Sequence, residues 1–287
     1  MANSTIVNSE AKSREPETIL LRPSKGRVSL NLRDLWTYRE LIYFLTWRDI
    51  KVRYKQTVLG AGWAVLQPLI NMIVLSIIFG NLAGMSTEGY PRPVFTFTAL
   101  LPWGLFSKAL TDAGRSMLAN RNMITKIYFP RLIIPLSSVL GGLVDFAIAF
   151  VVLILMMFYY RMTPTSAIWT LPLFLLLAIA TALGVGLWLS ALNVQYRDVG
   201  YVLPFLTQFW LLVTPVAYSS AEIPAQYQFL YALNPMAGVV EGFRWALLGT
   251  PTAPGPLMAV SIGVALLLLI SGLYYFRRME TTFADTI

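Results

Sequence analysis

The sequence contains no cysteine and no histidine. Without cysteine there is no disulfide, no thiolate nucleophile and no sulfur ligand for zinc or an iron–sulfur cluster. Without histidine, a catalytic triad, imidazole proton shuttling and most transition-metal sites are excluded by residue type. Charge is scarce as well: 13% of the 287 residues are Asp, Glu, Lys or Arg, against 56% hydrophobic. No GxxxxGK[ST] stretch occurs, so the chain has no phosphate-cradling loop and cannot hydrolyse ATP by itself. The reading is therefore of a protein with no catalytic residue and no metal site. Residues 1–57 are polar and mixed in charge, without a basic stretch leading into a short apolar core, so no cleaved secretory signal is expected.

What the chain has in quantity is apolar sequence, and a composition this greasy makes the bilayer its expected solvent. Charge-poor runs predict transmembrane helices over 58–82, 94–116, 132–159, 169–192, 202–218 and 256–276. The first is long enough to cross a hydrocarbon core of about 30 Å at about 1.5 Å per residue. The second is weaker, because Lys108, Asp112 and Arg115 fall in its later half, and Pro102 should bend it. The third holds one acid, Asp145; in the fourth, Gly184 and Gly186 offer close helix approach, as do Gly60 and Gly62 at the start of the first.

An even number of spans puts both termini on one side. Nineteen of the 22 Lys and Arg residues fall on that side, and only Arg92, Arg161 and Arg244 on the other. The positive-inside rule makes the first side cytoplasmic. Residues 219–255 are too apolar for a free loop and too broken for a crossing. They read as two short helices separated by a turn at Asn234 and Pro235, folding back into the outer leaflet. The expected fold is thus an all-α membrane protein with six transmembrane helices, an N-terminal amphipathic interfacial helix over 31–57 and a re-entrant helical hairpin between helices 5 and 6. Residues 1–30 are expected to be a flexible cytoplasmic tail and 281–287 a cytoplasmic C-terminus. No internal repeat is evident.

In the stretch entering the first span, Trp36, Tyr43, Trp47, Ile50 and Tyr54 fall within a helical arc of roughly 60°, with Arg48, Lys51 and Lys55 on its flank. Aromatic bodies at headgroup depth and basic heads reaching phosphates describe an elbow lying on membrane lipids. A nucleic-acid role is set aside, because a span beginning within three residues of Lys55 ties those bases to the membrane.

The loop 117–131 mixes bases with Met123, Ile124, Ile127, Tyr128 and Phe129. Either these apolar residues pack beneath the protein's own helices or they dock on a partner. Asp145 is expected near mid-membrane, where a carboxylate is costly. With the intramembrane charges Lys108 and Asp112 it admits three readings: structural pairing or an Asp145 held neutral by burial, a polar channel wall, or a coupling-ion site. Most aromatics belong to lipid-facing girdles, but Trp63, Phe97, Trp103, Phe106 and Trp210 are candidates for a channel lining on which sugar rings stack and slide.

Several strings, in order, resemble the permease subunits of ABC-2 type polysaccharide exporters: YRELIYFLTWRDIKVRYKQTVLGAGWAVLQP, NMITKIYFPRLIIPLSS, LNVQYRDVGYVLPF, TPVAYSSAEIP and LNPMAGVVEGFRWALLG. The similarity is closest to O-antigen exporter permeases, with teichoic-acid permeases as relatives, and covers roughly residues 35–280. Thr214 stands in TPVAY where such a permease is expected to carry Ser. The resemblance implies a homodimer working with two separate ATP-binding subunits that bind ATP and Mg, no cofactor in this chain, and a lipid-linked polysaccharide exported across the inner membrane. It makes Asn122, Ile124, Lys126, Phe129, Pro130 and Arg131 the coupling segment that docks on the ATPase. It makes Asn234 and Pro235 part of a periplasmic gate. The alternative cargo is another glycan, a lipid or a small amphipathic drug.

Overall fold

In hydrocarbon no water pairs with the backbone, so each N–H and C=O must be satisfied by the protein itself, and a helix does so within its own segment. All the regular structure among the described residues is helical. The computed structural model describes residues 32–55, 60, 62–251, 255–280 and 282–283. The predicted tail at 1–30, the first residues of the predicted first span and the last four residues of the chain lie outside the described residues.

The expected elbow is two helices, α1 (Leu32–Thr37) and α2 (Arg39–Lys55). The first span is α3 (Gly62–Ser76), extended by a π-helical turn at Ile77–Leu82. The second is α4 (Arg92–Ala119), which runs through Pro102 without a break. The short α5 (Arg121–Ile124) leads to α6 (Ile133–Tyr159), and a 3-10 turn at Ser166–Thr170 to α7 (Leu171–Gln195). Then come α8 (Val199–Val213), α9 (Gln228–Ala232), α10 (Pro235–Leu248) and α11 (Leu257–Met279). By length and composition α3 with its π-helical extension, α4, α6, α7 and α11 are long and apolar enough to cross a membrane, while α8, which has no such extension, is a shorter apolar helix.

That shortness corrects the expected span 202–218. Thr214 leaves the helix for an extended conformation, φ −97° and ψ 139°. The cause is Pro215, which has no N–H to continue the ladder and disfavours helical geometry in the residue before it.

α4 is the central post, buried along most of its length and packed against α3, α6, α7, α8 and α10. α3 is peripheral, with Met72 its one buried side chain. α7 and α11 meet as Gly184 predicted: a Cβ there would lie 2.6 Å from the backbone of Leu268. Gly60 behaves otherwise. Nothing stands within 4 Å of a Cβ built on it, and its φ of +49° makes it a left-handed turn into α3 rather than a contact.

Candidate functional site

Three regions carry the candidate residues. The first is a cavity of about 500 Å³ between α2, α3, α4 and α6. Its charged floor is a four-residue network. Arg53 Nη1 donates to Asp145 at 2.7 Å and Arg53 Nη2 to Asp112 at 3.1 Å, and Lys108 Nζ lies 3.4 Å from Asp145. The Tyr54 hydroxyl also donates to Asp145. Burial pushes the Tyr54 hydroxyl up to about 12, and the neighbouring Asp145 carboxylate adds to the effect, so the phenol stays protonated and serves as a donor.

These bonds give Asp145 its partners. Its residue number puts it roughly 18 Å along α6 from Ile133, at about 1.5 Å per residue, yet it is level with the end of the elbow helix that supplies Arg53 and Tyr54. Asp145 is a paired acid, not a lone charge. The pairing was missed at Arg53 and Tyr54, although an acid in an apolar run calls for a cation and the elbow holds four bases just before α3.

The second region is the loop joining α4 to α6. Its apolar residues divide. Ile124 and Phe129 are buried with Leu45 of α2, Met117 of α4, Ile133 of α6 and Phe276 of α11. Ile127 and Tyr128 are exposed, at 60% and 79%. Asn122 and Lys126 are exposed too, while Pro130 and Arg131 are half-buried. The packing reading holds for two of these side chains, which anchor the loop, while the other two project from it. Arg131 is bound to the end of α11, where its guanidinium and its main-chain N–H donate to the Glu280 carbonyl and carboxylate. Arg48 Nη2 donates to Asn120 at 2.8 Å, so the elbow also grips the loop's first turn.

The aromatics predicted to line a path differ in exposure. Phe97 and Phe106 are core side chains, 1% and 0% exposed, and present no ring face to a passing molecule. Trp103 and Phe106 rings lie 5.3 Å apart, and Phe106 meets Trp210 edge-on at 4.9 Å. Trp63 and Trp103 both line the cavity. The exposed aromatic stripe is elsewhere: Tyr201, Phe205 and Phe209, at four-residue spacing on α8.

The third region follows α8. Asn234 caps α10, accepting from Met236 N–H at 3.1 Å with Pro235 at the first helical position, as helix-start chemistry favours. Its side chain also accepts from Trp210 Nε1 at 2.9 Å and donates to the Thr214 hydroxyl at 3.0 Å. Arg244 of α10, only 3% exposed, donates to the carbonyls of Val216 at 2.7 Å and Tyr218 at 3.0 Å and stacks over the Phe95 ring at 3.6 Å. The guanidinium supplies the hydrogen bonds that the backbone lost when α8 stopped. Nothing in the sequence pattern marked Arg244 as more than a loop charge. Among the described residues no group of His, Cys, Asp and Glu is arranged to hold a metal ion.

The sequence is similar to those of known proteins. The family model described as ABC-2 type transporter matches residues 40–248. An O-antigen export system permease protein RfbA of Klebsiella pneumoniae is 30% identical over 249 residues, 86% of this chain and 95% of the relative. Its namesake in Myxococcus xanthus is 30% identical over 89% of this chain and 98% of its own length. The polysialic acid transport protein KpsM of Escherichia coli is 26% identical over 81% of this chain and 91% of its own. With the family model covering most of the chain and the permease relatives matched nearly end to end, the protein belongs to the ABC-2 type transporter family.

Proposed function

We propose that this chain is the permease subunit of an ATP-driven exporter that moves a lipid-linked polysaccharide of O-antigen type across the bacterial inner membrane, with both termini cytoplasmic. The observation that carries the reading is its near end-to-end similarity to O-antigen export permeases. Two copies would form the path, each resting on a separate subunit that binds ATP and Mg. The uncovered apolar face of α8 supports a second copy, and its aromatic stripe is suited to sugar rings, whose C–H faces lie flat on aromatic ones.

The ATPase would dock on the exposed loop tip. Because Ile124 and Phe129 anchor that loop among α2, α4, α6 and α11, a push on Ile127 and Tyr128 is delivered to four helices rather than absorbed by a floppy loop. Movement of α4 and α6 would then shift the Asn234 cap and the Arg244 clamp on the far side and admit the glycan.

Reconstitution with a separate ATP-binding subunit and a lipid-linked glycan tests this. Glycan should cross the membrane only with ATP hydrolysis, and leucine at Tyr201, Phe205 and Phe209 together should impair it while the dimer persists. Transport of short-chain lipids with no glycan movement would overturn the cargo assignment.

A further inference from the structure

The polar lining of the cavity exceeds what the ion pairs need. On its α3 wall Trp63, Gln67 and Asn71 stand at four-residue spacing, all exposed. Amide side chains on a membrane-crossing helix are costly against hydrocarbon, so this wall calls for a polar occupant. Facing it on α4, Lys108 and Asp112 are one turn apart, and their side chains are each 34% exposed. Both have unspent bonding capacity. Lys108 approaches Asp145 with one of three N–H donors, and Asp112 uses one carboxylate oxygen for Arg53.

The four charges sum to zero, so an anion alone gains little net attraction here. A group carrying both signs, set between Lys108 and Asp112, whose Cβ atoms lie about 5–6 Å apart on one helix face, gains a partner at each end. We propose that this cavity binds a zwitterionic lipid headgroup, a phosphodiester joined to a primary ammonium by a two-carbon link, with Lys108 holding the phosphate and Asp112 the ammonium. The amides of Gln67 and Asn71 complete the hydrogen bonding. Exposed Leu66, Ile70 and Ile73 on α3 give the acyl chains an apolar path. A cavity of about 500 Å³ accommodates such a headgroup. Occupancy would wedge α3 apart from α4 and α6, using the same charges that hold the elbow.

The same chemistry could reside in an amino-sugar phosphate of an exported glycan, so the full-length protein is purified from cells that make none. It is placed in phosphatidylcholine nanodiscs doped with phosphatidylethanolamine or, separately, phosphatidylglycerol, and the lipids retained on extraction are quantified by mass spectrometry. Phosphatidylethanolamine should be enriched about tenfold over phosphatidylcholine, the factor that one charge-assisted hydrogen bond provides, and phosphatidylglycerol should not be. In Asp112→Asn the enrichment should fall to near unity, and Lys108→Gln should lower retention of both doped lipids. Equal retention of all three lipids by the unaltered protein, preference for phosphatidylglycerol, or unchanged enrichment in Asp112→Asn would each overturn the site. Should a variant fail to purify intact, the three-lipid comparison on the unaltered protein decides the matter.

Discussion

Arg53, at the end of the elbow helix, donates to Asp145 in the middle of α6 at 2.7 Å across 92 residues of sequence. The side chains are 26% and 18% exposed, so water screens the pair only in part. Removing one partner strands the other in a poorly solvated place. We expect Arg53→Met or Asp145→Leu alone to cost about 2 kcal/mol, and the double variant less than the two added together, with a coupling of about 1–2 kcal/mol. Thermal denaturation of all four proteins in one detergent measures it, and strict additivity would show the pair to be incidental.

Tyr54 predicts an alkaline limit. Its hydroxyl, pushed up to about 12 by burial and then by Asp145, holds its proton in the folded protein above pH 10, where the unfolded chain releases it. The stabilisation is complete below pH 10 and is lost as pH rises towards 12. Melting temperature against pH should therefore fall more steeply across that window in the natural protein than in Tyr54→Phe, which has no proton to release.

The loop separates anchor from contact. Phe129→Ala removes a buried ring and should lower stability by about 3 kcal/mol, whereas Tyr128→Ala should stay within about 0.5 kcal/mol. Export should show the reverse sensitivity per unit of stability lost: Tyr128→Ala, fully folded, should hydrolyse ATP with its partner without moving glycan. Normal export by Tyr128→Ala and Ile127→Ala together would remove the docking role from the tip.

Asn234 joins α8 to α10 through one side chain. Asn234→Ala should cost about 1–2 kcal/mol for the cap and free the Trp210 indole. Asn234→Asp keeps the oxygen that accepts from both Met236 and Trp210 and should retain most of the stability but not the bond given to Thr214. Fluorescence of Trp210, read by difference against Trp210→Phe, follows the release directly.

Much of the architecture was legible because the bilayer imposes local rules. A charge-poor run must become a helix wherever no water can satisfy its backbone, and Asn followed by Pro starts one by filling the orphan N–H and fixing φ, as residues 234 and 235 do. Pro215 equally marked where α8 must stop, a signal the apolar run around it hid. The absence of a phosphate loop, of cysteine and of histidine narrowed the chemistry in the same local way.

What periodicity could not supply was the choice of partners across helices. That Asp145 is neutralised from the elbow, that Arg244 serves the carbonyls after α8, and that Phe129 turns inward while Tyr128 turns outward all depend on how α2, α4, α6, α10 and α11 rotate and pack. By itself the sequence determined which segments are helical and which chemistries are absent, since those follow from each residue's own bonding needs. Only the tertiary structure decided which charges meet and which aromatics remain uncovered, because a side chain's partner is fixed by the packing of segments far apart in the chain.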